Sequence, residues 1–190
     1  MTRAAHSRLV RAGAEYLLAV PYSAASLEGF SLTSSISKGE VVEAFDDVHS
    51  LGTAILDHER MALHAVQDRI MRSTGTPLEK LRVGFAATGA LLADDVVVRA
   101  AFRLAMESRE AFPERRLDPF RTWRGFVGER LAEAEHAGLL RTGLDLLGVG
   151  ELLVTAGMGI RDLIFMHGLW DEAEERLHNA VTCVISLIRA

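Results

Sequence analysis

Cysteine, proline and aromatic side chains are scarce in these 190 residues: Cys183 stands alone, there are 4 prolines, and aromatics make up 6%. A single thiol allows no intrachain disulfide, so burial has to hold the chain together. Positive charge is also short, with 21 Lys and Arg against 26 Asp and Glu, a net charge of −5 and a pI near 5.8. The overall field therefore gives no help in attracting nucleic acid or an anionic membrane. No apolar run approaches the roughly 20 residues that span a bilayer. The opening MTRAAHSRLVRAG carries basic residues but no apolar stretch before a cleavage signal, which predicts a cytoplasmic protein without a leader. Catalytic signatures are missing too. There is no HExxH, no GxSxG and no P-loop, and GVGELL at 148–153 lacks the third glycine and the strand of a dinucleotide site.

What is present is helix-forming and apolar. At 49% hydrophobic content the chain can bury a proper core. Leucine, alanine, glutamate and arginine dominate, residues that lose little rotamer freedom in a helix. The expected fold class is all-α.

Helical spacing opens in RLVRAGAEYLLAV, with Leu9, Ala12, Tyr16 and Val20 three and four apart, and stops at Pro21. Two short helices follow, SLEGFSL and SKGEVVEAF, in which Ser26 and Ser37 are set to cap the orphan backbone N–H groups. Short helix, serine-rich turn and short helix form a helix-turn-helix outline. From Asp46 to about Arg72 a long helix carries Leu51, Ile55, Ala62, Val66 and Ile70 on one stripe. PLEKLRVGFAATGALLAD, DVVVRAAFRLAMESREAF and DPFRTWRGFVGERLAEAEHAG predict three more helices, and a final pair runs from about Leu147 to His167 and from Asp171 to Arg189. His136 and His167 suit helix C-termini. In the last helix Ala173, Leu177, Ala180, Val181, Val184, Ile185 and Ile188 cover more than one narrow stripe, which predicts a symmetric partner as well as an intrachain one.

The stretch SLEGFSLTSSISKGEVVEAFDDVHSL resembles the DNA-reading domain of TetR-family regulators without a gap: Ser26, Leu27, Phe30, Ile36, Ser37, Lys38, Gly39, Val41, Phe45, Asp47 and Leu51 fall on that framework. DPFRTW at 118–123, AEHAGLL at 134–140 and GMGIRDL at 157–163 resemble a branch of that family, the γ-butyrolactone autoregulator receptors. The resemblance implies a homodimer with a three-helix reader over residues 1–51 and a ligand-binding and dimerisation domain over 52–190. It maps the pocket tryptophan of that branch onto Trp123.

The departures from the family pattern fall on contacts. Ser35 stands where the family has a turn glycine, Val42 replaces its tyrosine, Ala44 its histidine and Val48 its lysine. Residues 1–51 hold four cations, Arg3, Arg8, Arg11 and Lys38, against the six carboxylates of Glu15, Glu28, Glu40, Glu43, Asp46 and Asp47. Phosphate neutralisation supplies most of the affinity of such readers. Operator binding is therefore expected to be weak or lost, with Ser34, Ser37 and Lys38 as the remaining candidate contacts.

The expected ligand is small and largely apolar or lactone-like, held by aromatic and apolar side chains with a few polar groups. Phe85, Phe102, Met106, Phe120 and Phe126 join Trp123 as candidate lining residues. Met158 and Phe165 extend the set, and Thr88 and Thr155 are the candidate hydrogen-bonding groups. No cofactor or metal is expected. His58 and His64 lie six apart, on different faces of the long helix, although Asp57 and Glu59 flank them. Two alternatives stand beside a ligand-responsive regulator: a partner without DNA binding that heterodimerises or sequesters ligand, and an enzyme on the same scaffold.

Overall fold

The computed structural model describes residues 1–115 and 121–190, with side chains in the second stretch described from 123 onward. Among the described residues the chain forms nine α-helices and no strand, as expected. They are α1 Arg3–Ala19, α2 Leu27–Ser34, α3 Lys38–Ala44, α4 Val48–Arg72, α5 Pro77–Asp94, α6 Val96–Glu107, α7 Arg121–His136, α8 Leu146–His167 and α9 Ala173–Ile188. No helix among the described residues is long and apolar enough to cross a membrane. By packing, the chain divides into two units, one of Met1–Ala62 and Asp95–Pro119, the other of Leu63–Asp94 and Phe120–Ala190.

In the first unit α1 packs on α2, α3 and α6. Its core gathers Leu9, Ala14, Phe30, Val41, Leu51, Ile55 and Phe112, all with essentially no exposure. Each large apolar side chain buried in this way contributes roughly 1.5–3 kcal/mol. Thr2 caps α1, Ser26 caps α2 and Ser37 caps α3, each by accepting a backbone N–H with its hydroxyl. The Tyr16 hydroxyl accepts the Ser26 N–H at 3.1 Å, tying α1 to the start of α2. A Cβ at Gly29 would lie 2.7 Å from that hydroxyl. The α2–α3 turn passes through Ser35 at φ 56°, in the left-handed region, with no glycine to relieve it.

In the second unit α5 is central, packing on α7 and α9, while α8 packs on α7 and α9. The crossing of α5 and α9 is close enough that a Cβ on Gly89 would meet the Ala173 carbonyl oxygen at 2.4 Å. His136 and His167 close α7 and α8, as their positions before glycine suggested. Gly168 ends α8 at φ 66° and returns its N–H to the Ile164 carbonyl, the left-handed cap that glycine adopts without a steric cost.

Of the broad apolar stripe of α9, Ala173, Leu177, Val181, Val184, Ile185 and Ile188 are buried within the chain and Ala180 is half-buried. The reason is that α9 serves two neighbours, α5 and α8. Exposed apolar surface lies instead on α8, where Leu152, Leu163 and Met166 share a stripe with exposed Thr155 and Gly159, and at Leu187 of α9.

Candidate functional site

Two sets of residues carry the functional expectations, one in each unit. In the first unit the candidate DNA contacts are engaged with their own chain. The Ser34 hydroxyl donates to the Phe30 carbonyl at 2.6 Å. Ser37 is locked in a capping box: its Oγ lies 2.8 Å from the Glu40 carboxylate and accepts the Glu40 N–H at 3.2 Å. Lys38 Nζ lies 3.7 Å from Glu28, and Arg8 reaches Glu40 at 2.7 Å. Arg11 faces Glu15 at 3.6 Å. These pairs are exposed and add little to stability, yet each sets a carboxylate beside a cation on which phosphate would depend. Hydrogen bonds from Ser37 and then Arg8 hold the Glu40 carboxyl below its ordinary range. Leu32 and Val42 project into solvent, 79% and 53% exposed, and Val42 stands where the resembled family pattern has tyrosine.

Asp57 and His58 of α4 are used structurally, whereas His64 is exposed. Asp57 takes Arg115 in a two-pronged pair at 3.0 Å on each side, which lowers its carboxyl pKa. His58 Nε2 sits 2.6 Å from Asp95, whose other oxygen accepts the Val97 N–H and caps α6. Glu59 has no such partner: half-buried, it is pushed up to about 7 by desolvation, with Arg60 opposing. Among the described residues no three His, Cys, Asp or Glu gather in a metal-holding group.

In the second unit Trp123 is half-buried at the start of α7 and meets two rings. Its centroid is 5.2 Å from that of Phe85 on α5, and 5.7 Å from Phe126 in an edge-on arrangement. Both geometries are favoured by ring quadrupoles. Glycines let neighbouring helices approach these rings. A Cβ at Gly157 of α8 would lie 2.5 Å from Phe85, and one at Gly84 of α5 would lie 3.0 Å from Phe126 and 3.6 Å from Ile70 of α4. Residues of α4, α5, α7 and α8 thus converge on one aromatic cluster. Arg130 supports it from outside, holding Glu133 at 2.8 and 2.6 Å, contacting the Met71 sulfur, and lying 5.6 Å from the Phe126 ring centre.

The other expected lining residues are dispersed. Thr88 is buried, and its hydroxyl donates to the Gly84 carbonyl at 2.9 Å, which leaves only acceptor capacity. Met158 is half-buried beside Gly157. Phe165 is half-buried and packs edge-on to Trp170 at 4.8 Å. Thr155 is exposed on the outer stripe of α8. Phe102 is buried and Met106 is 48% exposed, both in the first unit. Phe120 lies outside the described residues. Sequence reasoning passed over Arg130, whose low exposure of 3% has no signal in a charged residue read alone.

The order and packing of these helices form a TetR-like fold, and solved structures share it over nearly the whole chain. A protein solved for the molecular basis of control of antibiotic production by bacterial hormones superposes with a TM-score of 0.77 at 24% identity, over 100% of both chains. TylP, a TetR regulator from Streptomyces fradiae, matches at 0.71 and 23% identity over 100% of this chain and 89% of its own. A γ-butyrolactone receptor, ArpA-like, matches at 0.71 and 19% identity over 96% of this chain and 97% of its own. No family model and no curated protein matches the chain.

Proposed function

We propose that this chain is a ligand-responsive, TetR-like regulator of the γ-butyrolactone-receptor type whose grip on DNA is weakened or lost. The observation that carries this reading is the aromatic cluster of Trp123, Phe85 and Phe126, built on α5 and α7 and approached by Ile70 of α4 and Gly157 of α8. The ligand is small, largely apolar or lactone-like, and binds against Trp123 in a domain spanning 52–190. The unit 1–51 is retained for its packing while Arg8, Arg11 and Lys38 are held by its own carboxylates. The protein acts in the cytoplasm as a homodimer, joined through the exposed stripe of α8. Ligand biases a population of two arrangements rather than forcing a new one.

The test is fluorescence anisotropy with duplex DNA from upstream of the protein's own coding region at low salt. The expected result is micromolar or weaker binding with little sequence preference; nanomolar, selective binding overturns the weakened-reader reading. The double variant Glu28→Gln, Glu40→Gln frees Lys38 and Arg8 while keeping the capping box. It is expected to raise affinity for any duplex about tenfold and to steepen its salt dependence. The same internal pairs favour a second reading, a partner that heterodimerises with an intact receptor or sequesters its ligand; co-purification with such a receptor distinguishes it.

A further inference from the structure

Gln67 lies on the α4 stripe that includes buried Leu63, Val66 and Ile70, just short of a turn before Ile70. Ile70 approaches Gly84 beside the Phe126 ring, so the Ile70 end of this stripe meets the aromatic cluster. The opposite side of α4, with Ala65, Asp68, Arg69 and Arg72, lines an open surface depression of about 410 Å³. On this half-buried side chain the Gln67 Nε2 is itself buried and has no hydrogen-bond partner among the described residues.

A carboxamide nitrogen carries two donor hydrogens. Buried donors are nearly always satisfied, and an exception calls for an explanation. We infer that Gln67 is the polar anchor of the ligand site, its Nε2 donating to a carbonyl oxygen of a small, otherwise apolar molecule lying against Trp123. This rests on the proposed ligand-binding reading and extends it by fixing the chemistry of one end of the ligand. A neutral donor among aromatic rings suits a neutral acceptor such as a lactone, ester or ketone, and gives no counter-charge to a carboxylate.

The test uses the full chain carrying Trp170→Phe, which leaves Trp123 as the one tryptophan to report binding. The probes are γ-decalactone and 2-hexyltetrahydrofuran, the same skeleton without the carbonyl. Gln67→Leu is expected to weaken the lactone about tenfold and to leave the ether unchanged or tighter. In the unliganded protein the same change is expected to raise Tm by roughly 2–4 °C, because an unmet donor has been removed. Gln67→Met repeats both measurements with a side chain of similar length. Unchanged lactone affinity, or a fall in Tm with both variants, overturns the role of Gln67 and leaves the ligand site standing. Quenching of Trp123 by neither probe overturns both.

Discussion

Ser35 and Glu59 are residues whose own chemistry conflicts with where the fold places them. Ser35 occupies a left-handed turn position at φ 56° that glycine adopts freely. Ser35→Gly is expected to stabilise the protein by about 1 kcal/mol, read as a shift in denaturant midpoint without a change in slope. Glu59 is half-buried with its carboxyl raised from 4.5 to about 7. The unfolded carboxyl ionises near 4.5, so between that value and about 7 the folded state binds more protons. Stability must then fall as pH rises through this window, the reverse of a salt-bridged acid. The loss is about 1–3 kcal/mol once solvent screening is allowed for. Equilibrium unfolding at pH 5 and pH 7.5 should show it in the wild type and not in Glu59→Gln.

At the scale of elements, the α5–α9 crossing is governed by one missing methyl group. Gly89→Ala places a Cβ against the Ala173 backbone, which cannot turn aside, and is expected to cost about 3 kcal/mol in unfolding free energy. Gly125→Ala in α7 meets nothing within 4 Å and should instead be neutral or stabilising by up to about 1 kcal/mol. Such packing was invisible in the sequence, where GFAATGALLA reads only as a helix. Helix starts were legible because their chemistry is local: Ser26 and Ser37 cap where their hydroxyls predicted, and Pro77 opens α5. Ends were less so. DVVVRAAFRLAMESREAF reads as one helix, yet α6 stops at Glu107 and a 3-10 turn covers Arg109–Ala111. The candidate site shows the same limit. Trp123, Phe85 and Phe126 converge, whereas Met106 and Thr155 are exposed, because composition names apolar residues without saying which face of a helix they occupy.

At the scale of the whole molecule the open question is how the exposed apolar side chains of α8 are covered. Leu152, Leu163 and Met166, between 44% and 73% exposed, lie on one stripe. A second copy meeting it would bury them isologously. Leu163→Glu with Met166→Glu is expected to halve the mass measured by light scattering while leaving helical content unchanged. A mass that stays at two chains would move the interface elsewhere.

The tight seat of Gly89 has one more implication. Phe85, which touches Trp123, lies one turn before Gly89 on the same helix, and at Gly89 the backbones of α5 and α9 abut without side chains between them. Side-chain layers usually act as cushions that absorb small displacements; here there is none. A displacement at the Phe85 end of α5 therefore passes to α9 through direct backbone contact, with no side-chain layer between to take it up.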